Sequence, residues 1–183
     1  RALESAHEPQ MGRDTVVHGD VRPENILVSH EGAVKLTGFG FSRFLPSLQP
    51  RGWFCTWDGW CFQPRERLDP DSIDPRSDIF SLGLVLYHAL TGARPYSTDL
   101  SSELLSMLEA QVSPIPEVTL DLPEDVEAMI RRACAPAPAD RYQSAGEFAE
   151  AIHGLLFERR YAGGGASMIR SAAGTLFDTQ LVN

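Results

Sequence analysis

The sequence is almost without lysine. Of its 16 basic residues only Lys35 is a lysine, and arginine supplies all the others. Any role that calls for a lysine ammonium is therefore closed to residues 1–34. Cysteine is also sparse. Cys55, Cys61 and Cys134 are too few, and odd in number, for a disulfide framework, which favours a reducing compartment. Positive charge is short overall, with Lys+Arg 16 against Asp+Glu 25 and a formal charge of −9. A surface of that sign repels phosphate backbones and speaks against a nucleic-acid partner. Long apolar runs are missing as well. The longest, IFSLGLVLYHAL at 79–90, is too short to cross a bilayer and contains Ser, Tyr and His. No membrane partner is expected within the chain. The first ten residues, RALESAHEPQ, are polar, lack a signal-peptide core and do not begin with Met, so a cytoplasmic excerpt of a longer protein is expected.

What remains is an ordinary globular composition. A chain of 183 residues, 43% hydrophobic, can bury the core of one domain, and nothing in it is collagenous, Cys-rich or disordered in character. No internal repeat is visible.

Residues 2–8 read as the end of a helix that breaks at Pro9 and Gly12. Two short β-like runs follow, Ile26–Val28 and Val34–Leu36, joined by the polar turn SHEG, and together they predict a hairpin. Residues 37–68 are irregular, rich in glycine, proline and aromatics. Helical spacing then takes over. Asp74-Pro75 supplies a cap and first turn, and Thr91-Gly92 a stop, so a helix is predicted over 75–91; apolar on most faces, it should be a buried central one. Leu100, Leu104, Leu105 and Leu108 form one further stripe, and Val126, Met129, Ile130, Ala133 and Cys134 another. Acids at Glu124, Asp125 and Glu127 suit the positive end of that second helix. The final helix opens with a capping box, Ser144 to Glu147, and is expected to turn Phe148, Ile152, Leu155 and Leu156 inward. Beyond Arg160 the run AGGGAS reads as a flexible linker.

One constellation carries chemistry. His18-Gly19-Asp20 is followed at the fifth position after the Asp by Asn25, then by the hairpin, then by Gly38-Phe39-Gly40. Downstream come FQPRERL (62–68), SDIFSLGLVLYHALTGARPY (77–96) and DRYQSAGEF (140–148). This order resembles the eukaryotic-type (Hanks-type) serine/threonine protein kinases, whose catalytic loop reads H-R-D-L-x-x-x-x-N and whose metal loop reads D-F-G. The later segments resemble the family's A-P-E element, the buried helix after it and the late Arg-containing element.

The resemblance runs from about residue 2 to about residue 157 and covers the family's helical lower lobe. It implies an α+β, mainly α-helical fold: a protein-kinase-like C-lobe with a small hairpin, an activation-type loop and a helical bundle, without an N-lobe. Residues 1–160 would form that lobe and 161–183 a Gly-rich linker and tail. The late element DRYQSAGEFAEAI resembles bacterial members.

Site roles follow from the same likeness. Asp20 stands where the family's proton-accepting aspartate stands, and Asn25 where a Mg²⁺ ligand of the nucleotide site belongs. Arg22 replaces the lysine usual two residues after the Asp, with a planar fork in place of a point charge that would neutralise a phosphoryl group. His18 is expected to pack beneath the loop. Glu66 and Arg141 resemble a pair tying the activation segment to the bundle, and Asp78 resembles the buried acid that accepts catalytic-loop amides.

The departures matter as much. Gly38 stands where the metal-binding Asp of D-F-G belongs, and Gly19 replaces the Arg of H-R-D. The A-P-E triplet reads Pro64-Arg65-Glu66, with Gly59 where Ser/Thr kinases place a threonine. Neither a Gly-rich phosphate loop nor its partner lysine precedes the catalytic loop, and Lys35 lies in the hairpin beyond it. The family uses ATP and Mg²⁺; here weak binding or none is expected, and the chain as it stands is expected to be inactive or severely impaired, a pseudokinase-like binding or regulatory module. An active Ser/Thr kinase whose N-lobe lies upstream is the alternative. A small-molecule phosphotransferase shares HGD followed by Asn, but it too needs the Asp lost at Gly38 and lacks the 77–96 helix.

The segment WFCTWDGWCF (53–62) packs three tryptophans and two phenylalanines into ten residues. Trp53, Trp57 and Trp60 either fold back onto the lobe or dock a protein partner. Cys55 and Cys61 lack two further ligands for zinc and are expected to be free thiols.

Overall fold

The computed structural model describes residues 1–8, 15–39, 61–68, 70–95 and 122–158. Helix α1 (Ala2–His7) leads into the loop carrying His18, Gly19 and Asp20. A single 3-10 turn, Pro23–Asn25, then delivers the chain into β1 (Ile26–Val28), which pairs antiparallel with β2 (Val34–Leu36). The register sets Leu27 opposite Lys35. Both predicted runs form as read, because the SHEG turn reverses the chain with Gly32 in the left-handed region at φ 85°.

Helix α2 (Pro75–Thr91) is the centre of the fold. Asp74 caps it: its Oδ1 accepts the Arg76 amide at 2.7 Å, while Ser77 Oγ accepts the Asp74 amide at 3.4 Å. Gly92 ends it in the left-handed region, its N–H donating to the His88 carbonyl at 2.8 Å. Residues from Ser77 to Tyr87 on several faces are buried, as the all-round apolar pattern requires.

Around α2 pack α3 (Glu124–Ala133) and α4 (Ala145–Glu158), and α1 lies against α4. The crossing of α2 and α3 is close because position 83 has no side chain. A Cβ there would stand 2.7 Å from Cys134 Sγ and 2.9 Å from Ala133 Cβ. Ile79, Leu84, Ile130, Ala133 and Phe148 are all within 1% of complete burial and form the middle of the core. Burial pushes the Cys134 thiol up to about 12, against the opposing charge of Arg141.

Two expectations change at α4. Phe148 is buried and Ile152 and Leu155 are partly so, but Leu156 is 40% exposed. One helical step past Leu155 carries it around the edge of the apolar stripe. The capping box is also modified. Ser144 Oγ accepts the Glu147 amide at 3.0 Å, yet Glu147 Oε2 takes the amide of Gln143, at 2.7 Å, because its other oxygen is held by Arg132.

Several expectations fall outside the described residues: the break at Pro9 and Gly12, Gly40, the aromatic run with Trp53, Trp57, Trp60, Cys55 and Gly59, the Leu100–Leu108 stripe, and the tail 161–183. Among the described residues no helix is long and apolar enough to cross a membrane.

Candidate functional site

Asp78, in the first turn of α2 and 1% exposed, organises the loop before the hairpin. Its Oδ2 accepts the His18 amide at 2.8 Å and its Oδ1 the Gly19 amide at 2.7 Å. The His7 ring, from the last turn of α1, places Nε2 2.8 Å from Oδ2. A buried carboxylate needs such donors, and three are supplied from residues 59 to 71 positions away in sequence. The geometry requires Gly19 at φ 71°, a conformation that side-chain-bearing residues adopt only with strain.

His18 is fully buried and its tautomer is dictated by its neighbours. The Thr37 carbonyl can only accept, so Nε2 donates to it at 2.7 Å; the Asp20 amide can only donate, so Nδ1 accepts it at 3.1 Å. Both ring nitrogens are thus spent on backbone. The ring also meets Phe39 edge-on, with centroids 4.5 Å apart.

Asp20 is surrounded by donors. Asn25 Nδ2 gives hydrogen bonds to its carbonyl at 2.7 Å and its Oδ2 at 2.9 Å, and Gln63 Nε2 gives one to Oδ1 at 3.1 Å. Arg22 Nε stands 3.3 Å from Oδ2 and 3.9 Å from Glu24 Oε2. The first distance is a charge contact without hydrogen-bond alignment. The structure therefore brings Asp20, Arg22 and Asn25 together and adds Gln63, which sequence reasoning missed. An isolated glutamine between Phe62 and Pro64 carries no signal that it will reach a residue 43 positions away.

Gly38 lies against the Asn25 amide at φ 86°, and a Cβ there would be 3.2 Å from Cγ, Nδ2 and Oδ1 of Asn25 alike. Mg²⁺ prefers carboxylates together with phosphate oxygens. At this place the chain offers one neutral oxygen, Oδ1 of the Asn25 amide, and a glycine with no side-chain ligand atom. Among the described residues no group of three His, Cys, Asp or Glu gathers as a cage. The residues present do not fit a phosphate-bridging Mg²⁺ ion.

Beneath the loop, Glu66 and Arg141 meet. Arg141 is fully buried and uses all five of its N–H groups: two on Glu66, at 2.5 and 3.2 Å, and the rest on the carbonyls of Arg76, Ala135 and Pro136. Ser77 Oγ donates to Glu66 Oε1 at 2.9 Å. The 3-10 turn Arg65–Leu68 is thereby tied to α2 and to the loop before α4. Cys61, Phe62, Gln63 and Pro64, just before that turn, are all buried. Cys61 and Cys134 are both buried and neither is in a disulfide, and Cys134 Sγ donates to the Phe80 carbonyl at 3.8 Å.

Among the described residues the domain is thus mainly helical with one small hairpin, and a buried helix-start carboxylate and an Arg–Glu pair anchor the HGD loop and the 65–68 turn to the helices. Comparison with known proteins narrows the class. Residues 1–153 match the model for the protein kinase domain. The chain is 35% identical over 170 residues to the tyrosine-protein kinase MasK of Myxococcus xanthus, covering 91% of this chain and 26% of that protein. It is 34% identical over 158 residues to the serine/threonine-protein kinase PknH of Mycobacterium tuberculosis, covering 85% and 24%. With the serine/threonine-protein kinase PknA of the same species it shares 34% over 161 residues, covering 87% and 36%. The chain belongs to the protein kinase domain family. It spans between about a quarter and about a third of the length of these curated relatives.

Proposed function

We propose that this chain is the C-terminal lobe of a protein kinase domain that has lost efficient phosphoryl transfer and serves as a binding or regulatory module. The observation that carries the reading is Gly38: the family's metal-binding carboxylate is absent there, and the Asn25 amide fills the space beside it. Phosphoryl transfer is chiefly positioning and charge neutralisation, so loss of the anion-bridging metal removes a central contribution. Gly19, in place of the Arg of H-R-D, and Arg22, in place of the catalytic-loop lysine, support the same conclusion. ATP and Mg²⁺, which the family uses, are proposed to bind weakly or not at all. Trp53, Trp57 and Trp60 are the proposed contact for a protein partner, and the cytoplasm of a bacterium the proposed setting.

A second reading is an active serine/threonine kinase whose N-lobe is encoded upstream. It is favoured by Asp20 and Asn25, which remain hydrogen-bonded to one another in a loop held by Asp78. The two are separated by calorimetric titration of ATP, with and without Mg²⁺, into the complete natural protein, followed by a phosphoryl-transfer assay. The expected result is no Mg²⁺-dependent binding and no transfer. Mg²⁺-dependent binding accompanied by transfer of the γ-phosphoryl group would overturn the first reading in favour of the second.

A further inference from the structure

Asp20 has a partner that neither the family motif nor the proposed function accounts for. Gln63 is 4% exposed, and its amide ends 3.1 Å from Asp20 Oδ1. The orientation of that amide is settled by chemistry: a carboxylate oxygen only accepts, so the nitrogen must face it. Its backbone is fixed independently. Cys61 and Phe62 on one side are 1% and 5% exposed, Phe62 meets His88 edge-on at 5.7 Å, and Pro64 on the other side is buried. The side chain is therefore delivered to Asp20 by packing that would exist without it.

We infer that Gln63 is a positioning residue: its amide fixes the Asp20 carboxyl by holding Oδ1, the oxygen that Asn25 does not bond. The assignment rests on the kinase-family reading only in treating Asp20 as the position where a hydroxyl would be received. A hydroxyl arriving there must donate to a carboxylate oxygen. Oδ2 already faces Asn25 Nδ2 at 2.9 Å and Arg22 Nε at 3.3 Å, and Oδ1 faces Gln63. An N–H from Gln63 thus takes one of the two lone-pair directions of Oδ1 and narrows the approach of an incoming O–H to the other. The amide is neither acid nor base at ordinary pH, so the contact is chemically inert. It also joins two distant parts of the chain, since the side chain that holds Oδ1 is carried on the buried 61–64 segment.

The test reads the carboxyl itself. The full chain and its Gln63→Met variant, equal in length but without a donor, are treated with a water-soluble carbodiimide and a small amine, and labelling is quantified by peptide mass spectrometry. Asp20 labelling is expected to rise about tenfold in the variant, the factor that corresponds to one lost hydrogen bond to a charged group. Exposed Glu31 and buried Asp78 serve as references and are expected not to change. Equal Asp20 labelling in a variant with the parental melting temperature would overturn the assignment, as would a parallel rise at Asp78. Should the variant fail to fold, the Gln63 side-chain amide protons of the parent decide by NMR: slow exchange supports the contact, and the rate of a free amide rejects it. Neither readout involves nucleotide. Mg²⁺-dependent phosphoryl transfer would thus reject the proposed function while leaving this result standing.

Discussion

The Asn25 amide lies where a side chain at position 38 would begin: a Cβ on Gly38 would stand 3.2 Å from its Cγ, Nδ2 and Oδ1 alike. Restoring the family's aspartate is therefore not a simple addition of a ligand. A Cβ at 3.2 Å obliges Asn25 to give way, and φ 86° strains any L-residue.

Gly38→Asp and Gly38→Ala should accordingly lose about the same stability, about 1–2 kcal/mol by urea denaturation. Asp tolerates left-handed backbone slightly better than Ala, so a small residual difference in its favour is expected. The informative measurement is the effect of Mg²⁺ with ATP. If the remaining residues are too few to hold the metal, Mg²⁺ will not separate the two variants. A selective gain for Gly38→Asp would show that one carboxylate was the whole defect.

The approach of α2 to α3 yields a second expectation. Gly83→Ala places a methyl group 2.7 Å from Cys134 Sγ and should cost about 1–3 kcal/mol through overpacking. Cys134→Ala removes the sulfur and leaves a small void. The double variant should lose less than the sum of the two, because the methyl occupies the room vacated by the sulfur. Thermal or urea unfolding of the four proteins in the cycle measures that coupling.

Arg141→Met should be severe. It leaves the largely covered Glu66 carboxylate beside Ser77 without its cation and removes donors from three backbone carbonyls. Breaking a buried pair in this way costs about 3–5 kcal/mol. Arg141→Lys should recover little, since three donors on one nitrogen cannot serve five directions. The loss is read from the urea midpoint.

Acid should unfold the protein through identifiable carboxylates. Burial by itself would raise Asp74, but the side-chain and backbone hydrogen bonds from Arg76, with the Arg76 and Arg141 charges, leave it below its ordinary 3.8. Glu147 is held below its ordinary 4.5 by the Gln143 amide, against burial, with help from Arg132. Both folded values are depressed. Their stabilisation is thus fully present above the ordinary carboxylate range and is lost as pH falls through the lowered values. The melting temperature should decline below that range, and an Asp74→Asn, Glu147→Gln double variant should show a shallower decline.

Local signals accounted for much of the fold. Asp74-Pro75 and Thr91-Gly92 delimit α2 as observed, and the alternation around SHEG delimits β1 and β2, because caps, turns and short-range periodicity are written within a few residues of where they act. Leu156 was misjudged for the converse reason. Whether a residue at the edge of a stripe is covered depends on what lies opposite, which periodicity does not contain.

The site divides in the same way. The spacing from Asp20 to Asn25 placed two of its members, since five residues spanning one tight turn leave the chain little choice. His7 on Asp78 and Gln63 on Asp20 have no counterpart in local pattern. Those contacts join residues 71 and 43 positions apart, and they arise because packing of α1 and of the 61–64 segment brings a donor to a buried acceptor that must be satisfied. By itself, then, the sequence determined the helices and the hairpin among the described residues, the order of the motifs and the missing carboxylate at position 38. The tertiary structure decided how Asp20 is surrounded, and how closely Asn25 has closed on the glycine, because a buried polar group takes its partners from space and not from sequence.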